Sequence, residues 1–292
     1  MRQLFNTLKN YFSLVKFSHT VFAMPFAIIG FSLAVTQENS KFSIKLLALI
    51  ILCMIFARNA AMSFNRLVDR RYDALNPRTR NREIPSGIIG SKAAALFVLA
   101  NALLFILTTA FINKLTLFLS PVALAVILGY SLTKRFTSLC HFVLGLGLSL
   151  APVGAYIAVT GAFALLPVIY SLIVLTWVSG FDIIYALQDD EFDRNNMLHS
   201  IPSSSGRKRA LSISVLLHFF TFILVVTAGI SANGGILFWT GAAVFTIFLV
   251  MQHRLVKHDD LSKVTLAFGT VNGIAAVIFA IFVISDLVLR NQ

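Results

Sequence analysis

Residues 163–193 read Phe163-Ala-Leu-Leu-Pro-Val-Ile-Tyr-Ser-Leu-Ile-Val-Leu-Thr-Trp-Val-Ser-Gly-Phe-Asp182-Ile-Ile-Tyr185-Ala-Leu-Gln188, followed at once by Asp189-Asp190-Glu191-Phe192-Asp193. A membrane helix needs about 20 residues, rising about 1.5 Å each, to cross about 30 Å of hydrocarbon. The apolar run over 163–188 meets that length and ends in a cluster of acids. A second stretch has the same form. The run over 44–67 ends in Asn65-Arg66-Leu67-Val68-Asp69-Arg70-Arg71-Tyr72-Asp73. The chain has only 12 acidic residues. Seven fall in these two windows (Asp69, Asp73, Asp182, Asp189, Asp190, Glu191 and Asp193), and Glu83 lies just downstream of the first. Carboxylates near a bilayer are unfavourable and are kept there for a task.

Working outward, 58% of the 292 residues are apolar, 12% are charged, and the mean hydropathy is +0.84. Soluble domains are nearer 45–50% apolar and about 25% charged. The sequence therefore predicts an all-α polytopic membrane protein. Nine spans are expected, at about 15–35, 44–67, 92–112, 114–131, 138–159, 163–188, 210–230, 235–251 and 266–287. Of the 24 basic residues, 19 lie in one set of loops and four on the other side, with Arg58 inside a span. That bias places the N-terminus, both acidic clusters and the two long loops (about 68–91 and 189–209) in the cytoplasm, and the C-terminus outside.

The clusters are offset by 120 residues, which predicts one membrane domain over 1–292 with two similar halves, about 1–135 and 136–292. The N-terminal segment has no small-residue cleavage pattern and reads as retained in the cytoplasm. A net charge of +12 raises the question of nucleic acid, but the basic residues sit in short loops where topology explains them. No nucleic-acid partner and no obligate protein partner are expected. Cys53 and Cys140 fall in apolar surroundings and form no metal framework.

Helical spacing orders the acids. Asp182, Tyr185, Asp189 and Asp193 step by 3, 4 and 4. Arg58, Asn65, Asp69 and Asp73 step by 7, 4 and 4. Each series is expected on one helix face. Carboxylates converging without cations repel each other strongly. A divalent metal relieves that repulsion, and phosphate oxygens complete its coordination shell. Lys134, in Tyr130-Ser-Leu-Thr-Lys134, and the loop arginines Arg78 and Arg82 suit phosphate charge. Together the residues point to a metal ion and a phosphate-bearing ligand at one face of a membrane.

These motifs resemble the UbiA superfamily of intramembrane aromatic prenyltransferases. Asn65-x-x-x-Asp69-x-x-x-Asp73, followed by Asn76-Pro-Arg78-Thr-Arg-Asn-Arg82-Glu-Ile-Pro85-Ser-Gly87, looks like its first signature. Asp182-x-x-Tyr185-x-x-x-Asp189-x-x-x-Asp193, running into His199-Ser-Ile-Pro202, looks like its second. Tyr130-x-x-x-Lys134 resembles its fourth-helix motif. Asn65 is followed by Arg66 where many members have aspartate. The segment from Lys16 to Ala27, with His19 and Thr20, is similar to the 4-hydroxybenzoate polyprenyltransferase branch.

The resemblance implies a bundle around a central cavity beneath a cytoplasmic cap, in the cell (inner) membrane. It implies Mg²⁺ held by Asp69, Asp73, Asp189 and Asp193 with help from Asn65, and a polyprenyl diphosphate whose leaving group meets Lys134, Arg78 and Arg82. Asp182 and Tyr185 would face the allylic cation or the acceptor. Arg58 would pair with the carboxylate of the aromatic acceptor, with Tyr130 and His19 nearby. That acceptor is expected to be 4-hydroxybenzoate, the alternative being 1,4-dihydroxy-6-naphthoate.

Two other classes of protein share part of this pattern. A cation-coupled transporter also uses intramembrane charge and repeated halves, but its acids belong near the midplane rather than at one face. A purely structural subunit leaves the convergent acids unexplained. Gly145-Leu146-Gly147 superficially resembles a nucleotide fingerprint, but lies in an apolar span and reads as close helix packing. His141, His218, His253 and His258 show no ligand spacing. The 27 phenylalanines divide between a prenyl tunnel, lipid and helix contacts in a way the sequence does not sort.

Overall fold

A computed structural model of the chain describes residues 9–15, 22–37 and 42–290. His19 and part of the first expected span lie outside these residues. The described residues form helices and connecting turns, with no strand among them. After a short helical stretch over 9–14 come α1 (Met24–Gln37), α2 (Ile44–Val68), α3 (Arg70–Leu75), α4 (Ser91–Ala110), α5 (Lys114–Thr133), α6 (Cys140–Thr160), α7 (Leu165–Ala186), α8 (Asp190–Asn195), α9 (Ile201–Ser205), α10 (Arg207–Ser231), α11 (Ile236–Leu255) and α12 (Asn272–Arg290). Eight of these helices are long and apolar enough to cross a membrane. Against the nine spans expected, α1 is apolar but has only 14 described residues.

Between helices in a bilayer there is no water to expel, so close packing and polar ties hold the bundle together. Small residues provide the approach. A Cβ at Gly30 of α1 would stand 2.0 Å from the carbonyl oxygen of Pro152 on α6. A Cβ at Gly145 would meet the Leu175 carbonyl oxygen at 2.6 Å and Ser179 Oγ at 2.5 Å on α7. Gly145 is thus a packing residue, as its apolar setting implies. Polar ties add to this. Trp177 Nε1 donates to Asn272 Oδ1 at 3.1 Å. At the end of the bundle away from the acids, Asp286 of α12 accepts from the backbone N–H groups of Gly235 (2.9 Å) and Phe238 (3.3 Å). It thereby satisfies donors that the start of α11 leaves open.

The phenylalanines sort in three dimensions. Phe26, Phe181, Phe238, Phe245 and Phe279 are buried around Trp177, whereas Phe111, Phe118, Phe163 and Phe219 are exposed on the outside of the bundle.

The two acidic helix ends depart from the continuous faces their spacing predicts. α2 stops at Val68, and Asp69 takes φ −88°, ψ 3° before the six-residue α3. α7 stops at Ala186 and passes through a tight turn over Leu187–Asp189 into the six-residue α8. The first run of acids is therefore bent at Asp69 and the second at Asp189. The bends let the loops after them fold back over the bundle end. The second loop is tied down by His199 N–H donating to the Lys134 carbonyl at 2.7 Å and by a capping box at Ser200.

Candidate active site

The breaks bring both acid clusters to the same end of the bundle, and four basic side chains lie among them. Asn76 Nδ2 donates to Asp189 Oδ1 at 3.0 Å, linking the loop after α3 to the far cluster. Arg78 grips the same carboxylate with two nitrogens: Nε at 3.1 Å from Oδ1, and Nη2 on Oδ2. Its third nitrogen, Nη1, donates to Tyr185 OH at 3.0 Å. The Asn76 side chain orients this loop by accepting from Arg78 N–H at 2.9 Å. Arg82 Nη1 stands 2.7 Å from Asp73 Oδ1, and Lys134 Nζ stands 2.7 Å from Asp193 Oδ1. Arg135 Nη2 donates to the Val68 carbonyl at 2.8 Å and reaches Asp69 Oδ1 at 3.3 Å. Asn65 Nδ2 donates to Asp69 Oδ2 at 3.2 Å.

Electrostatics follow from this geometry. Burial pushes the Asp69 carboxyl above its ordinary value, and the nearby Asp73 adds to the shift, outweighing Arg135. Burial also pulls on Arg78 and Lys134, but their carboxylate partners Asp189 and Asp193 win and hold both above their ordinary values. Both remain fully charged at neutral pH.

The donor chemistry suits Mg²⁺. It consists of hard carboxylate and amide oxygens, and Asp73 Oδ2 is buried with no hydrogen-bond partner among the described residues. The arrangement is not a ready-made cage, for among the described residues no three His, Cys, Asp or Glu side chains are grouped to hold an ion. The repulsion expected of converging acids is offset here by Arg78, Arg82, Lys134 and Arg135.

Beneath the acids lies an apolar cavity of about 360 Å³ between α2, α4, α5 and α6. Arg58 carries the one charge among the described residues that line it, and Tyr130 lies on the wall nearest the acids. Phe163 and Val122, both well exposed on the outside of the bundle, also line it, so the cavity opens sideways. Tyr185 forms part of the layer between acids and core, stacked on Phe268 with centroids 4.1 Å apart. A π-helical turn over Leu266–Val271 carries that phenylalanine.

The sequence family model of UbiA prenyltransferases matches residues 23–284. The chain belongs to the UbiA prenyltransferase family. It is 32% identical to a 4-hydroxybenzoate octaprenyltransferase of Nitrosomonas eutropha over 244 residues, covering 83% of this chain and 85% of that one. It is 31% identical to the same-named protein of Nitrosomonas europaea, over 85% of this chain and 84% of that one. Its fold superposes on the apo structure of a UbiA homolog from Aeropyrum pernix with a TM-score of 0.79 at 27% identity, covering 94% of this chain and 98% of that one. A UbiA homolog from Archaeoglobus fulgidus bound to DMAPP and Mg²⁺ superposes with a TM-score of 0.77 at 22% identity, over 96% and 99% of the two chains. The protein is thus an integral-membrane prenyltransferase of the UbiA family.

Several residues of this UbiA-family site had no assignment from sequence. Asn76 and Arg135 sit beside residues that did, and only the fold shows what they touch. Arg66, at the position where the family pattern departs, is 4% exposed, and its Nε and Nη1 make no hydrogen bond among the described residues.

Proposed function

We propose that this enzyme transfers a polyprenyl group from an allylic diphosphate to a ring carbon of an aromatic acid, with 4-hydroxybenzoate as acceptor, in quinone biosynthesis. One observation carries the reading: four aspartates and four basic side chains meet at the end of the bundle, next to an apolar chamber in which Arg58 is the one charge among the described lining residues. Two relatives named as 4-hydroxybenzoate octaprenyltransferases match most of the chain. A structural neighbour binds DMAPP with Mg²⁺.

Asn65, Asp69, Asp73, Asp189 and Asp193 would hold Mg²⁺, which when bound neutralises diphosphate charge as the leaving group departs. Arg78, Arg82 and Lys134 would turn from their carboxylates toward the phosphate oxygens and stabilise the same charge. The apolar walls would receive the prenyl tail and keep water from the allylic cation. Arg58 would hold the acceptor carboxylate, and Tyr130 lies close by. The acid end would face the cytoplasm of a cell whose inner membrane holds the bundle.

The test is a product assay on detergent-purified protein with an allylic diphosphate, Mg²⁺ and either 4-hydroxybenzoate or 1,4-dihydroxy-6-naphthoate, with a chelator control. Prenylated 4-hydroxybenzoate that vanishes with chelator is the expected result. Product with the naphthoate alone would replace the acceptor. No product with either, from folded protein, would remove the reading.

A further inference from the structure

His141 and Asp182 form a largely buried pair beside the site. His141, on the first turn of α6, is 2% exposed. Its Nδ1 lies 2.7 Å from Oδ2 of Asp182 on α7. The backbone N–H of Ile201, in the loop that follows the second acid cluster, points at its Nε2 from 3.3 Å. Nε2 therefore accepts, and Nδ1 carries the ring proton. In this arrangement Nδ1–H donates to the Asp182 carboxylate.

Among the described residues this is the only hydrogen bond Asp182 makes, so Oδ1 is left with its lone pairs unused. The Asp182 side chain is 20% exposed against 3% for His141. The carboxylate thus has one oxygen held inside the bundle and an accessible side. Its place fits the reacting ring. Asp182 lies one helical turn inside Tyr185, beneath the Arg78–Asp189 layer. It is also close enough to Tyr130, on the chamber wall, to interact with it electrostatically, as are Asp69 and Arg58.

We infer that His141 is a positioning residue for the proposed transfer: it aims Asp182 as the carboxylate that takes the proton released from the acceptor ring. The inference rests on the proposed function. When the C–O bond to the diphosphate breaks, its electron pair leaves with the diphosphate. A ring electron pair then makes the new C–C bond. The C–H pair at the same carbon returns to the ring, and the proton passes to Asp182 Oδ1. Asp182 becomes a neutral acid, and the His141 ring proton stays on Nδ1 throughout.

The other aspartates are poorly suited to this step. Asp69, Asp73, Asp189 and Asp193 are each occupied by a basic side chain and form the set proposed for Mg²⁺ and the diphosphate. Asp182 instead meets a ring N–H of His141, and its Oδ1 makes no hydrogen bond among the described residues.

A purely structural tie between α6, α7 and the loop makes a different prediction. The test compares acceptor with hydrogen or deuterium at the ring carbon that is prenylated, in wild type, His141→Leu, His141→Asn and Asp182→Asn. The acceptor is whichever of the two the wild type turns over. In wild type the expected isotope effect on kcat is near unity, because ionisation is slow and proton loss is fast. In His141→Leu and Asp182→Asn, kcat is expected to fall by about 100-fold, the lower range for general-base catalysis. A normal primary isotope effect should appear, with KM for both substrates little changed. In His141→Asn, whose amide nitrogen can stand where Nδ1 stands, most of kcat should return and the isotope effect should vanish.

Inorganic pyrophosphate binding, measured by calorimetry, reports that each variant is folded. A loss of kcat in folded His141→Leu without an isotope effect would overturn the inference, as would unchanged kcat. Wild-type protein that prenylates neither acceptor would instead remove the proposed function itself.

Discussion

Asp69 and Asp73 close one apolar helix, and Asp189 and Asp193 close another. In both places a long helix breaks at the first aspartate and resumes as a six-residue helix. The settings then diverge. In the first cluster Asp69 is 27% exposed and meets Arg135 at 3.3 Å. In the second, Asp193 is fully buried against Lys134, and Asp189 is held by two nitrogens of Arg78 and by Asn76. All four basic partners come from residues 78–135. The second half of the chain provides acids to the site but none of these four cations. Its Arg207 pairs instead with Asp190 and Glu191, away from the cavity. Repeated spacing thus marks where carboxylates go, while an unrepeated set of basic residues decides how tightly each is held.

The largest effect that tests this division is on catalysis. Asp73→Ala and Asp189→Ala should each lower Mg²⁺-dependent product formation by about 1,000-fold or more, at or above the range for one preorganised electrostatic contact. Similar losses would show that the clusters act jointly. A mild loss in one of them would make that cluster dispensable.

The next effect is on stability. Lys134→Met leaves Asp193 buried and unpaired, and should destabilise the folded protein by roughly 3 kcal/mol. Arg135→Met acts on a more exposed pair and should cost less than about 1 kcal/mol. Thermal unfolding in detergent measures both, and equal shifts would erase the contrast between the clusters.

Arg58→Ala should raise KM for the carboxylated acceptor by about tenfold or more, as expected for a lost hydrogen bond to a charged group, and leave KM for the diphosphate unchanged. Equal rises in both would count against acceptor pairing.

The smallest effect concerns pH. The Asp69 carboxyl is raised above its ordinary 3.8. Between the two values the folded protein holds a proton that the unfolded chain has released, so this group's contribution to stability falls as pH rises through that window. Asp69→Asn should flatten that part of the stability curve in metal-free protein. An unchanged slope would assign it to other groups.

The spans and the acids were legible in the sequence because both follow from local rules. Bilayer thickness sets helix length, and the four-residue step sets which acids lie near each other. Loops 76–90 and 196–206 were visible as basic and polar intervals. Their partners were not, since Arg78 meets Asp189 across 111 residues. The helix breaks at Asp69 and after Ala186 have no glycine or proline at the break to announce them. His141 and Asp182 lie 41 residues apart on neighbouring helices, with no spacing rule to join them. Arg58 stands out in the sequence as a charge inside a span, but only the packing of α2 against α5 and α6 gives it a chamber to face.

The sideways opening of that chamber, between Phe163 and Val122, bears on what the protein can measure. An enclosed pocket acts as a ruler, rejecting any tail longer than its depth. If the proposed prenyl tail enters a chamber open on that side, only its first isoprene units would be gripped and the remainder would trail into the surrounding lipid. Tail length in the product would then be dictated by the enzyme that makes the diphosphate, and the same chain could serve cells whose quinones differ in length without changing a residue of its site.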